Sequence, residues 1–134
     1  VSKSSDLEVF KKAKNKLFTI CNLHGIWTKE SKGDTPSKIS QSNQINDFLN
    51  KQKGKKILVG DLNLNMDTQS IKLLEKNMIN LVKDYNIPTT RNSFFLGHEK
   101  YADYTFVCKE VKVKSFIVPD VKISDHLPMI LEFS

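Results

Sequence analysis

The chain has 134 residues, 39% of them hydrophobic and 27% charged, with a formal net charge of +6. That composition belongs to one folded domain or part of one, with enough apolar side chains for a core, and it excludes a disordered chain. No apolar run approaches the roughly 20 residues that span a bilayer, and the start lacks a signal-peptide pattern.

The positive balance comes almost wholly from lysine, since Arg91 is the only arginine. A basic chain suits a polyanionic partner such as nucleic acid. The lysines are scattered, however, and fit a solvated surface equally well. Cys21 and Cys108 both lie in apolar, strand-like runs. They read as buried free thiols, which points to a reducing, cytoplasmic compartment.

In chain order, residues 2–6 read as a frayed end, and Lys11, Lys12, Lys14 and Lys16 as a basic turn. Residues 17–23 form an apolar strand that delivers His24 to its carboxyl end. Gly25, Ile26 and Trp27 lead into a polar loop through Lys32, Gly33 and Asp34. Thr35-Pro36 announces a helix, with Thr35 as cap and Pro36 at the first helical position. Ile39, Ile45, Phe48 and Leu49 give that helix its apolar face, and Gly54 stops it.

Ile57-Leu58-Val59 then reads as a short buried strand, with Gly60 where the backbone leaves the sheet. Asp61 and Asn63 follow, two apart, and share a face if the chain stays extended. On its own this stretch also fits a turn. Asp67 is the expected cap of a second helix that buries Ile71, Leu74 and Met78. Residues 80–87 are ambiguous and end at Pro88. Residues 89–99 form a loop carrying Arg91 and His98, and His98 reads as an ordinary loop residue. Strands are expected over 104–108, 111–118 and 127–133, with Lys109-Glu110 as a hairpin turn between the first two. Strands at both ends with helices between them make the fold class α/β or α+β.

Polar residues recur where strands meet loops: His24, Asp61 and Asn63, Asp103, and Asp125-His126. Rigid scaffold beside accessible loop is where catalytic groups collect. The types suit metal-assisted phosphoester hydrolysis. Carboxylates suit a hard cation such as Mg²⁺, and a histidine paired with a carboxylate has a fixed tautomer. Zinc spacing, a phosphate-binding glycine loop and a Gly-x-Ser-x-Gly motif are all lacking.

Gly60-Asp61-Leu62-Asn63, Ala102-Asp103-Tyr104-Thr105-Phe106 and Ser124-Asp125-His126-Leu127-Pro128, in that order, resemble the endonuclease/exonuclease/phosphatase superfamily. Asn22-Leu23-His24-Gly25 looks like its strand-end histidine motif. The resemblance implies part of a four-layer α/β sandwich of mostly antiparallel sheets flanked by helices. It also implies a phosphoesterase acting through a metal-activated water, with Mg²⁺ or Mn²⁺ as the ion. Asp61 resembles the residue that orients that water, and Asn63 the amide that holds it and a phosphate oxygen. Asp125 resembles a metal ligand. His126 resembles the phosphate-contacting histidine, oriented by Asp103, and His24 a general acid.

Family members run to roughly twice this length, still within the range of single domains. The expectation is therefore that residues 1–134 are the carboxyl-terminal portion of one such domain. An asparagine and a metal-binding glutamate would then lie upstream; Glu8 has no matching context. The chain opens on Val1, which fits a fragment of a longer gene product. A split protein and a non-catalytic remnant binding nucleic acid through its basic surface are the alternatives. Arg91 could bind substrate phosphate and Trp27 could stack on it; a surface arginine and a core tryptophan read equally well.

Overall fold

The structure, a computed structural model, describes residues 16–29 and 31–134. The expected frayed end at residues 2–6, Lys11, Lys12, Lys14 and Glu8 lie outside the described residues.

β1 (Phe18–Asn22) and β2 (Lys55–Asp61) run parallel, with Ile20 opposite Ile57. Parallel neighbours need a long crossover, and α1 (Pro36–Lys51) provides it. Its start is as the sequence indicates: the Thr35 hydroxyl accepts from the Lys38 amide at 3.2 Å, and Pro36 occupies the first turn. Leu49 is buried, with Ile45 and Phe48 packed against the core.

β4 (Asp103–Val107) pairs antiparallel with β2, and the short β3 (Ile79–Asn80) completes a sheet of order β1-β2-β4-β3. α2 (Gln69–Glu75) packs beside α1 and sends Ile71 and Leu74 into the core. α3 (Leu81–Asp84) resolves the ambiguous stretch and buries Leu81 and Val82. β5 (Val113–Ile117) and β6 (Ile130–Phe133) form a separate antiparallel ribbon. Edge-on aromatic pairs join the ribbon to the rest, Phe18 to Phe133 and Tyr85 to Phe116. Mixed α/β layering with mostly antiparallel strands matches the expectation.

Three local expectations are corrected. Lys109-Glu110 does not close a hairpin: β4 pairs with β2 and β3, whereas β5 pairs with β6. The turn carries the chain from one sheet to the other. Thr68, not Asp67, caps α2, accepting from the Ile71 amide at 3.3 Å. The last two strands are also shorter than their apolar runs. Cys21 and Cys108 are buried and free, as expected.

Candidate active site

β2 and β4 set the centre of the site. Their register places Asp61 directly opposite Asp103, so two carboxylates share the end of one strand pair. Opposite residues in such a pair have side chains about 5 Å apart. β1 brings in His24, because the ladder continues past its end: the Leu23 amide donates to Val59 O and the Gly25 amide to Asp61 O. The two strand exits touch backbone to backbone. A Cβ on Gly60, whose φ is +138°, would lie 1.9 Å from Leu23 O, and one on Gly25 would lie 2.5 Å from Leu62 O. Only glycine fits either place.

Asp61 is held at one oxygen and open at the other. Its Oδ1 accepts from the Asn63 amide at 2.9 Å. Its Oδ2 is flanked by two imidazoles, His24 Nε2 and His126 Nε2, each 3.9 Å away. Asn63 does not stay extended. Its φ is +52°, a conformation asparagine tolerates. The shared-face argument therefore fails, yet the turn delivers Asn63 to the same pocket as Asp61. The buried Asn63 side chain donates to Gly25 O at 3.2 Å, tying the two exits together.

Asp103 is 9% exposed, and its Oδ2 lies 2.8 Å from His126 Nδ1. Burial pushes its carboxyl above the ordinary value; His126 opposes that shift and Asp61 adds to it. The contact fixes the His126 ring and leaves Nε2 facing Asp61. His126 is placed by backbone as well: the Leu127 amide donates to Thr90 O, and the buried Thr90 hydroxyl accepts from the amides of Ala102 and Asp103.

Ligand atoms of Asp61, Asp103 and His126 all lie within 4.8 Å of one another. Two facing carboxylates repel each other unless a cation or a proton intervenes. That donor set fits a hard divalent cation. Asp125, the expected metal ligand, lines the pocket beside the trio, and its Oδ2 accepts from Arg91 Nη1 at 2.9 Å. Arg91 is no surface arginine: its side chain is 8% exposed and stacks on Phe95, 4.3 Å from guanidinium carbon to ring centroid.

His24, Asp61, Asn63, Arg91, Asp125 and His126 line one pocket of about 430 Å³, and Asp103 stands behind His126. Trp27 lines it too and is 66% exposed, so it is not a core tryptophan. Sequence reasoning missed Lys32, Phe95 and Glu99, which also line the pocket. It also missed Lys38, which is 1% exposed on α1. The Lys38 ammonium donates to Ser31 O, Gly33 O and Asn63 O at 3.1–3.2 Å. Lysines on a polar loop and a helix carry no local sign of burial.

Solved structures share the fold. A functionally unknown conserved protein from Enterococcus faecalis superposes with a TM-score of 0.70 at 19% identity, over 90% of this chain and 51% of its own. An endonuclease/exonuclease/phosphatase from Bacteroides vulgatus gives 0.65 at 16% identity, over 89% and 50%. This chain has the endonuclease/exonuclease/phosphatase fold. A mannosyl-6-phosphatase from Bacteroides thetaiotaomicron matches that fold as well, with a TM-score of 0.63 at 20% identity over 89% of this chain and 51% of its own. The chain thus spans about half the length of the endonuclease/exonuclease/phosphatase structures it matches. No family model matches its sequence. No curated protein does either. Among the described residues, no helix is long and apolar enough to cross a membrane.

Proposed function

We propose that this chain carries the phosphate-directed part of a divalent-metal-dependent phosphoesterase. The observation that supports this most is the Asp61 carboxylate, set between the imidazoles of His24 and His126, the latter backed by the buried Asp103. Asp61 orients the attacking water and draws its proton toward Oδ2. The Asn63 amide fixes that carboxylate through Oδ1 and presents its side chain to the same pocket. His126, held at Nδ1 by Asp103, directs Nε2 at the phosphoryl oxygens. His24, the most exposed of the set and 3.9 Å from Asp61 Oδ2, serves as the general acid for the leaving oxygen. Arg91, anchored by Asp125, adds positive charge beside the phosphate.

The carboxylates of Asp61 and Asp103, with Asp125 beside them, would hold Mg²⁺ or Mn²⁺. The bound ion would neutralise charge developing on the phosphate. A non-catalytic nucleic-acid-binding module has no use for the Asp103–His126 pair, so that reading is set aside.

The test is hydrolysis of bis(4-nitrophenyl) phosphate by the full-length gene product with Mg²⁺. Asp61→Asn and His126→Ala are each expected to lower turnover about a hundredfold or more. EDTA is expected to abolish it, with recovery on adding Mg²⁺ or Mn²⁺. Turnover within a few-fold of the wild type in both variants would sink the proposal.

A further inference from the structure

One wall of the pocket holds a cation that this chemistry does not use, Lys32, beside Arg91, which it does. Lys32 is 8% exposed, and its ammonium lies 5.0 Å from the Phe95 ring centroid. Arg91 lies over the same ring. Both fall within cation–π range, so one aromatic ring carries two like charges. Neither cation is fully paired. Lys32 Nζ and Arg91 Nε are buried, with no hydrogen-bond partner among the described residues. The Arg91 contact to Asp125 uses Nη1 only. The carboxylates nearest in effect to Lys32 are Glu99, Asp61 and Asp103, and none accepts a hydrogen bond from its ammonium.

A buried, unpaired ammonium is among the least favourable arrangements a protein adopts. Placing a second cation beside it makes matters worse. Two unsatisfied donors on side chains that line one pocket are instead what a multi-oxygen anion completes. The pocket already holds the Asp61–His126 centre, so this anion would be a neighbour of the phosphate under attack.

We infer that Lys32 and Arg91, based on Phe95, form a second phosphate subsite, and that the substrate carries at least two phosphates. This rests on the phosphoesterase reading for the identity of the first phosphate. The second could belong to the next linkage of a nucleic-acid strand or to a small bisphosphate. The chemistry recognised is the same: a dianionic or monoanionic phosphate offering several acceptor oxygens. Occupation would give the Lys32 ammonium the acceptors it lacks, and would draw the two cations together instead of leaving them opposed.

Equilibrium binding separates the sources. Isothermal titration of the full-length protein, in EDTA so that no turnover occurs, compares two pairs of probes. One pair is thymidine 5′-monophosphate and a 5′-phosphorylated thymidine dinucleotide. The other is fructose 6-phosphate and fructose 1,6-bisphosphate. At least one doubly phosphorylated probe is expected to bind about 10- to 100-fold more tightly than its partner, the size of one charge-assisted hydrogen bond. The pair that shows the gap identifies the source. Lys32→Met is expected to bring that probe down to the level of its monophosphate. If Lys32→Met does not fold, Lys32→Gln replaces it.

Equal binding within both pairs, or an advantage that survives loss of Lys32, overturns the subsite. Bis(4-nitrophenyl) phosphate carries a single phosphate and tests the catalytic reading alone. Failure there with the binding gap intact refutes the phosphoesterase and spares the subsite. Turnover there without the gap does the reverse.

Discussion

Replacing Lys38 with methionine removes one buried ammonium and leaves three backbone carbonyls without their donor. Those carbonyls belong to Ser31, Gly33 and Asn63, so the same side chain joins the 31–33 loop to the turn after β2. A hydrogen bond from a charged donor contributes roughly 1.5–3 kcal/mol, so three give roughly 4–9 kcal/mol before any correction. Burial opposes the charge and holds the Lys38 pKa below its ordinary value, with Asp34 acting the other way. Relief of that desolvation offsets several kcal/mol, because methionine fills similar volume without charge. The net expectation is a loss of ~2–4 kcal/mol, or roughly 6–16 °C in Tm for a chain of this size. Thermal unfolding followed by circular dichroism measures it. Hydrogen exchange adds a local readout: the Asn65 amide, which donates to Lys32 O at 2.8 Å, is expected to lose protection first. A Lys38→Met protein as stable as the wild type, or more so, would refute the argument. The ammonium would then be a burden tolerated by the fold, and the loop would be held by something else.

Gly60→Ala places a methyl group against Leu23 O at a φ of +138°, and is expected to cost roughly 3 kcal/mol or more, read as a fall in denaturation midpoint. Asp34 accepts from the Gln69 and Ser70 amides and the Ser70 hydroxyl, reaching α2 from across the chain. Burial raises its pKa, but those three donors and Lys38 outweigh burial and hold the carboxyl below its ordinary value. Its contribution is therefore present at neutral pH and lost as pH falls through the depressed folded value. Asp34→Asn is expected to lower stability by ~1 kcal/mol at pH 7, the size of a helix cap. The difference from wild type is expected to vanish in acid, and a gap that widens in acid would contradict the assignment.

Residues whose neighbours in sequence determine their role were legible. Thr35-Pro36 starts α1 as read, and the apolar run before Gly60 is a strand. The Asp103–His126 pairing followed from ordered motifs, and Thr90, which accepts from the Asp103 and Leu127 amides, explains why the two meet. What failed depends on partners far along the chain. Lys109-Glu110 has the composition of a hairpin turn, but pairing partners decide whether a turn closes a ribbon or links two sheets. Asn63 was expected on an extended face, and its left-handed turn is stabilised by contacts to Asp61, Gly25 and Lys38. Asp67 lost the cap of α2 to the adjacent Thr68, within the usual uncertainty of helix ends. Lys32 and Lys38 have the spacing of surface lysines, and only tertiary packing shows that they are interior.

The crossing of Gly25 and Gly60 has a consequence for anyone who would alter this protein. Where two backbones meet directly, the distance between β1 and β2 exits is set mainly by main chain, with Asn63 the one pocket side chain that bonds across it. His24 and Asp61 then ride on a frame that does not move when the groups mounted on it change. A library varying positions 24, 27 and 95 explores new pocket chemistry at constant spacing. One that touches position 25 or 60 changes the frame itself, and every distance in the site with it.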